Sequence, residues 1–233
     1  MYVLQLGNGG GFDFNKTNSS FLIKNNETTI LFDCGFNIMN RLTSDRNINI
    51  EEIDYVYISH MDEDHIGNLK MFIYWRYFKY DKFTYIICDE NIENDIKNYL
   101  KDLNKELIGC KTVKTNMFFV QTVNAVYKRN INNDISIQSV KCNHGNIKTY
   151  GAIFKDRTKY IFISGDTKAS KYIEEISKDC DLIFHDYSNW DFVTRNVHTC
   201  KTDFELEYSK KYQEKAIKYH TGDEDFKKDW YEI

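Results

Sequence analysis

The sequence predicts a domain of mixed helices and strands, the α+β class, from three observations. Short runs rich in Ile, Val, Tyr and Phe recur along the 233 residues and end at Gly, Asn or Asp, as strands do. Between some runs, apolar residues recur at helical spacing, as in Asn91–Leu107. The length and the 42% of apolar residues suffice for one core, so residues 1–233 are predicted to form a single domain.

The predicted elements alternate along the chain, with strands clustered first in each half and helices later. The strand-like runs are Val3–Leu6, Ser20–Lys24, Thr29–Phe32, Tyr55–Ile58, Tyr85–Cys88, Ile135–Val140, Gly151–Phe154, Tyr160–Ile163, Leu182–Phe184 and Ala216–Tyr219. The helical patterns are Met71–Tyr80, Asn91–Leu107, Ala169–Ser177 and Phe204–Tyr212, and a further helix is expected to begin near His65.

Composition excludes some functional classes. The net charge of −4 argues against a surface that is wholly a nucleic-acid footprint, although a local basic cleft remains possible. The start, MYVLQLGNGGG, lacks a basic region and a long apolar run, and no stretch approaches the roughly 20 apolar residues that cross a bilayer. The six cysteines show no CxxC pair, which predicts reduced thiols. We therefore predict a cytoplasmic protein with no membrane partner.

The segment Ile58–Gly67 carries the strongest chemical signal. It follows a hydrophobic run and places His60, Asp62, Asp64 and His65 within six residues. Two carboxylates and two imidazoles cannot be buried together without a cation, and both are natural ligands of divalent metals. The alternative is a solvated turn whose aspartates cap a helix.

Three later segments favour the metal. His144, Asp166 and His220 each follow a strand-like run, and open sheets tend to place their sites at the carboxyl ends of strands. The sequence therefore predicts a metal centre that collects ligands from distant parts of the chain.

The order His60-x-x-x-Asp64-His65, then His144, Gly165-Asp166-Thr167 and a late His220, resembles the metallo-β-lactamase superfamily of hydrolases. The resemblance covers nearly the whole chain. It includes the turn Gly7–Gly11, the strand entry Asn18–Ser20 and the segment Leu31–Gly35. It implies a four-layer αββα sandwich, in which two mixed sheets pack together and helices cover them.

The resemblance also implies two divalent metal ions. The first would be held by His60, Asp62 and His144, the second by Asp64, His65 and His220, with Asp166 bridging them and Asp33 orienting ligands. Asp62 departs from the family, which usually has a histidine there. A carboxylate is a harder ligand than an imidazole. Zn²⁺ is therefore the default ion, but Mn²⁺ or Fe²⁺ become alternatives.

The last third of the chain indicates a branch of the superfamily. Asp181–Ser188, Val197–Thr199 and Lys218–Gly222 resemble segments of the RNase Z branch. This implies phosphodiester hydrolysis by a metal-bridging hydroxide that Asp64 orients. His198, supported by Asp186, would contact the scissile phosphate and assist the leaving group. His185 is expected to be structural.

The substrate is expected to be a small nucleotide. Long-armed members of that branch carry a tRNA-gripping arm between the positions of His144 and Asp166, which here lie only 22 residues apart. The compact chain is similar to the anti-Pycsar proteins, which implies cyclic-nucleotide hydrolysis. Aromatic residues of Met71–Tyr80 could stack on a base and Arg76 or Lys79 could meet phosphate, or the segment could be an ordinary amphipathic helix.

Other functions stay open on the same scaffold. One is an RNase Z-like ribonuclease acting on short RNA. Another is a lactone or thioester hydrolase, which would not need His198 and Asp186. A third is an inactive module that sequesters a nucleotide, suggested only by Asp62. The branch also implies a homodimer, although no feature of the sequence demonstrates one.

Overall fold

The computed structural model describes residues 1–25, 28–103, 118–124, 129–130, 135–157, 159–189, 197–223 and 226–233. Within these ranges the chain forms two β-sheets. In spatial order, the first sheet contains β13 (Tyr231–Glu232), β1 (Tyr2–Gly7), β2 (Ser20–Lys24), β3 (Thr29–Phe32), β4 (Tyr55–Ile58), β5 (Thr84–Asp89) and β6 (Phe118–Val123). The second contains β12 (Ala216–Tyr219), β11 (Leu182–Asp186), β10 (Lys159–Ile163), β9 (Ile147–Asp156), β8 (Ile135–His144) and β7 (Arg129–Asn130).

Both sheets are mixed. In the first, β13, β1, β2 and β3 pair antiparallel, whereas β3 to β6 are parallel. In the second, β7 to β10 are antiparallel and β10 to β12 parallel. Because parallel strands end at the same edge of a sheet, residues that follow them are gathered there.

Helices cover the outer faces of the two sheets. They are α1 (Ile38–Ser44), α2 (Glu63–Ile66), α3 (Leu69–Tyr80), α4 (Glu93–Tyr99), α5 (Lys171–Ser177), α6 (Lys201–Glu207) and α7 (Lys210–Lys215), with short 3-10 helices at Ile50–Glu52 and Glu90–Ile92. Alternation along β3 shows the layering, since Ile30 and Phe32 face the second sheet while Leu31 packs with α1, α3 and α4. The outer face of the second sheet packs against α5, α6 and α7. The αββα sandwich is thereby confirmed.

All ten strand-like runs lie in strands, but several element boundaries differ from prediction. β6, β7 and β13 were not predicted. The predicted helix Asn91–Leu107 is shorter, because α4 ends at Tyr99, and its residues 104–107 lie outside the described ranges. The predicted helix Phe204–Tyr212 is two helices, because the Ser209 side chain accepts a hydrogen bond from the Tyr212 amide and begins α7.

The structure bears on two expectations drawn from composition, those about membrane-spanning helices and about the cysteines. In the described part of the chain, no helix is both long and apolar enough to span a membrane. The five described cysteines are buried and none forms a disulfide, and Cys110 lies outside the described residues. Burial raises the pKa of Cys142 and of Cys180 to about 12, so both stay protonated thiols.

Candidate metal centre

The ligand-type residues meet where strands of both sheets end. Each of these residues is the last of its strand or follows within three positions, namely Asp33 after β3, His60 after β4, His144 at the end of β8, Asp166 after β10, Asp186 at the end of β11 and His220 after β12. Asp64 and His65 join them from α2, directly after β4. The fold therefore assembles one cluster from residues far apart in the sequence.

One side of the cluster, the open group, consists of His60, Asp62 and His144. The Asp62 Oδ2 atom lies 3.6 Å from His60 Nε2 and 3.4 Å from His144 Nε2. Both imidazoles are buried, whereas the Asp62 side chain is 38% exposed. The neighbouring imidazoles of His144 and then His60 hold the pKa of Asp62 below its ordinary value, so it is a carboxylate at neutral pH.

The other side, the closed group, consists of Asp64, His65 and His220. The Asp64 Oδ2 atom lies 3.5 Å from His65 Nε2 and 3.4 Å from His220 Nε2. Asp166 stands between the groups, with Oδ1 3.3 Å from His65 Nε2 and Oδ2 3.7 Å from His60 Nε2. All members of the closed group are buried.

Asp33 orients one histidine of each group. Its Oδ2 atom lies 2.7 Å from His65 Nδ1 and accepts a 2.7 Å hydrogen bond from the Ser59 hydroxyl. Ser59 Oγ also lies 2.8 Å from His60 Nδ1. Because the hydroxyl donates its one proton to the carboxylate, it must accept from His60 Nδ1–H. Both rings therefore carry their proton on Nδ1 and turn the Nε2 lone pair towards the cluster.

The sequence reasoning identified Asp33 as an orienting residue but missed Ser59. A hydroxyl residue directly before a ligand at the end of a buried strand was the available signal. His144 is oriented differently, because its Nδ1 lies 2.8 Å from the main-chain carbonyl of Val197. An N–H donated to that carbonyl leaves Nε2 as the free acceptor of His144 as well.

The donor set fits divalent cations. The buried atoms His60 Nε2, His65 Nε2 and Asp166 Oδ1 have no hydrogen-bond partner, although buried polar atoms almost always do. Among the described residues, no lysine or arginine forms an ion pair with the four carboxylates of the cluster, which are those of Asp62, Asp64, Asp166 and Asp186. Burial lowers the pKa of His65, but the carboxylates of Asp166, Asp64 and Asp33 raise it well above its ordinary value. Cations would take the place of such protons.

His198 and Asp186 lie beside the two groups. His198 Nδ1 is 2.9 Å from Asp186 Oδ2 and 3.7 Å from Asp166 Oδ2. Asp186 is fully buried, accepts a 2.8 Å hydrogen bond from the Thr167 amide, and lies 3.3 Å from His220 Nδ1. Because Asp186 engages Nδ1, the free ring atom of His198 is Nε2. These atoms are close enough for His198 to act as a ligand or as a proton donor.

Two residues considered from sequence lie elsewhere. His185 is fully buried, with Nε2 2.6 Å from the Tyr208 hydroxyl, and burial lowers its pKa to about 4, which suits a structural histidine. Arg76 is also buried, and its guanidinium donates to the main-chain carbonyls of Ile50, Glu51 and Phe83. The suggestion that Arg76 meets phosphate is therefore wrong, because its donors join α3 to the 3-10 helix Ile50–Glu52 and to the segment before β5.

The glycine-rich loop after β1 lies directly against the closed group. A Cβ atom at Gly10 would stand 3.2 Å from His220 Nε2, and one at Gly11 would stand 3.4 Å from the Asp64 carboxylate. A side chain at Gly10 would crowd His220, whereas a Cβ atom at Gly11 would reach only van der Waals contact with Asp64, so the loop lies directly on both residues.

Comparison with known proteins agrees with this geometry. The protein "Anti-Pycsar protein Apyc1" of Bacillus phage BSP38 is 26% identical over 242 aligned positions, which cover 96% of this chain and 91% of that one. The metallo-beta-lactamase fold protein YhfI of Bacillus subtilis superposes with a TM-score of 0.73 at 18% identity, over 94% of this chain and 86% of that one. The short form of human tRNase Z gives 0.72 at 15% identity, over 95% and 93%. These two likenesses establish the metallo-β-lactamase fold.

A model of one protein family covers almost the whole sequence. It matches residues 1–230 and is described as "Anti-Pycsar protein Apyc1". This match includes every described strand except β13 and every residue of the two ligand groups. The chain belongs to the anti-Pycsar protein Apyc1 family.

Proposed function

We propose that this protein is a metal-dependent phosphodiesterase that hydrolyses a small nucleotide, with a 3′,5′-cyclic nucleotide as its substrate. The observation that carries the proposal is the pair of ligand groups around Asp166 with the His198–Asp186 pair beside them. Membership of the anti-Pycsar family supports the substrate class. A carboxylic ester hydrolase would have no use for the second pair.

Two divalent ions fit the donor set. His60, Asp62 and His144 would hold one, Asp64, His65 and His220 the other, and Asp166 would contribute to both. Two such ions would balance the charge of the four carboxylates in the cluster. When bound, they supply an activated water as nucleophile and offset negative charge on the phosphoryl oxygens. Zn²⁺ is the default ion, and the Asp62 carboxylate favours Mn²⁺ or Fe²⁺ more than a histidine would.

The protein's own groups position the reactants and move protons. The Asp64 carboxylate can accept a hydrogen bond from the attacking water and so orient it. The Asp186 carboxylate stabilises a protonated His198 and fixes its ring through Nδ1. From Nε2, His198 can donate a proton to the leaving oxygen. Asp186 therefore acts through His198 as a positioning residue.

The interval between His144 and Asp166 supports a small substrate. It is occupied by β9 and β10, which form an antiparallel hairpin, and a tight turn at Gly145 joins β8 to β9. In the described residues of this interval, 145–157 and 159–165, no segment extends from the sheet as an RNA-gripping arm would. Short RNA is the second candidate, because its phosphodiester suits the same groups.

A substrate panel tests the proposal on the metal-loaded protein. The panel contains 3′,5′-cyclic nucleotides, short RNA, bis-p-nitrophenyl phosphate, a lactone and a thioester. We expect cyclic nucleotides to yield nucleoside monophosphates, and a chelator to stop the reaction. Cleavage of RNA alone would favour the ribonuclease, whereas hydrolysis restricted to carboxylic esters would contradict phosphodiester chemistry. Metal binding without any hydrolysis would favour the sequestering module.

A further inference from the structure

Phe12 is the most exposed large hydrophobic residue in the described part of the chain. The residue is 92% exposed, compared with 76% for Leu206 and 73% for Phe14. Single exposed apolar residues are common on protein surfaces, so exposure by itself indicates nothing. The position of Phe12 in the glycine-rich loop is what gives it meaning.

A hydrogen-bonded turn holds Phe12 at its apex. The Asp13 amide donates to the Gly10 carbonyl at 3.1 Å, which makes Gly11 and Phe12 the two central residues of the turn. The Asp13 carboxylate accepts a 3.0 Å hydrogen bond from the Gly10 amide, and the Lys16 amide donates to the Asp13 carbonyl at 2.9 Å. The backbone under Phe12 is thus braced from both sides.

The same turn is seated on the metal centre. A Cβ atom at Gly10 would press against the His220 ring, and one at Gly11 would reach van der Waals contact with the Asp64 carboxylate. The Lys16 ammonium donates to the carbonyl of Gly222, two residues after His220. Because consecutive Cα atoms are about 3.8 Å apart, Phe12 lies one residue beyond the ligand contact, at the rim of the closed group.

We infer that the exposed face of Phe12 is the platform on which the base of the nucleotide stacks. This inference rests on the proposed function. A nucleotide whose phosphate lies at Asp166 holds its base one ribose away, at the rim of the cleft, where it meets an unoccupied aromatic face. Stacking accepts any base, because every base has a π-face. Phe12 does not reach the phosphate, so it stabilises ground state and transition state equally.

Phe14 provides a matched control on the same loop. It is the same residue type and is also exposed, but its ring already lies 6.1 Å from that of Phe36. It also lies outside the turn, so it should contribute nothing to base binding. Since neither phenylalanine is buried, replacement by alanine leaves the core intact.

The test compares two ligands that differ only in the base. Adenosine 5′-monophosphate and ribose 5-phosphate are titrated into the metal-loaded protein by calorimetry, and each is used as a competitive inhibitor. Phe12→Ala should weaken binding of the monophosphate about 5- to 100-fold, the range that stacking energies imply. Ribose 5-phosphate should bind unchanged. Phe14→Ala should leave both ligands unaffected, and Phe12→Trp should retain affinity and show fluorescence quenching by the monophosphate alone.

Each other outcome would overturn the inference. Equal weakening of both ligands would mean that Phe12 shapes the phosphate site, and equal effects of the two alanine variants would deny a special role for the turn. If Phe12→Ala changed the molar mass in light scattering while leaving binding intact, the ring would belong to an interface between copies. Absence of diester hydrolysis would refute the proposed function alone, because binding of the monophosphate is measured independently.

Discussion

The open and closed groups use the same side-chain chemistry but differ in exposure and support. The closed group is buried throughout, and the Asp33 carboxylate contacts its histidine His65 directly. In the open group, the same carboxylate reaches His60 only through Ser59, and Asp62 stands 38% exposed. Asp62, which stands where the resemblance to the metallo-β-lactamase superfamily implies a histidine, thus lies where water has access, so its carboxylate is not fully desolvated.

This difference leads to an expectation about the metals. A buried, directly supported site holds its ion more tightly and exchanges it more slowly than an exposed one. We therefore expect the closed group to fill first and the open group to exchange its ion. Both groups share Asp166, so their occupancies should be coupled.

The largest effect is expected at the shared residue. Asp166→Asn keeps the volume of the side chain but removes the charge that faces both groups, so it should lower the metal content of each. We expect turnover to fall at least about 10³-fold. Elemental analysis and steady-state kinetics on the same sample measure both. An Asn variant with full metal content and normal kcat would show that Asp166 does not join the groups.

His198→Ala separates proton transfer from metal binding. Loss of a positioned proton donor should lower kcat about 10²- to 10⁴-fold, with metal content unchanged at both groups. A substrate with a better leaving group, such as bis-p-nitrophenyl phosphate, should lose less. If the variant instead lost metal, His198 would be a ligand and the cluster would have to be divided differently.

Asp64→Asn and Asp62→Asn compare the groups directly. Asp64→Asn should lower the affinity for the more tightly held ion, and Asp62→Asn the affinity for the more weakly held ion. Titration of metal-stripped protein resolves the two affinities. Asp62→His, which introduces the histidine that the metallo-β-lactamase resemblance implies, should raise the affinity for Zn²⁺ relative to Mn²⁺. Equal effects of the two Asn variants on one shared ion would mean that the groups do not hold separate metals.

Ser59→Ala should affect the open group more than the closed group, because His65 keeps its direct contact with Asp33. Without the hydroxyl, His60 Nδ1 loses its acceptor and the ring its fixed tautomer, which should weaken the ion there about 10- to 100-fold. Ser59→Thr keeps the hydroxyl and should rescue the affinity. Metal titration is the readout. The idea fails if Ala and Thr behave alike or if the tighter ion is the one that weakens.

The smallest effect concerns His185, a buried histidine outside both groups. Its folded pKa of about 4 lies below the ordinary value of 6.5, so the unfolded state binds a proton that the folded state does not. The corresponding stability is complete above pH 6.5 and is lost as the pH falls towards 4. Between pH 7 and pH 5, protonation of this histidine in the unfolded state should lower the free energy of unfolding by about 2 kcal/mol. The His185→Gln variant should not show this decrease. Urea unfolding at each pH measures it, and parallel curves for the two proteins would contradict the assignment.

Much of the fold could be predicted because it depends on local pattern. Strands such as Thr29–Phe32 are apolar on both faces, since each faces one layer of core. Helix ends were harder to place. Leu100 and Leu103 continue the apolar spacing of α4 and are buried, although they lie beyond its end at Tyr99. These two leucines are buried although they are not in the helix, so apolar spacing alone does not show where α4 ends.

The ligand set was more readable than its support. His60, His144 and Asp166 have residue types and strand-end positions that predicted a shared site, and the fold brings them together. Ser59 acts through hydrogen bonds that depend on the rotamers of three side chains, so its position before His60 does not by itself identify its partners. Arg76 shows the converse, because a cation in an aromatic helix suggested phosphate while the fold required its donors for carbonyls.

Titration of metal-stripped protein with Zn²⁺, with cyclic-nucleotide hydrolysis followed in parallel, tests the account most directly. We expect two binding steps of different affinity, with hydrolysis rising only as the second is filled. Replacement of Asp166 should abolish that pattern. A single binding step that already gives full hydrolysis, or two filled steps without any phosphodiester cleavage, would contradict a phosphodiesterase built on an open and a closed group.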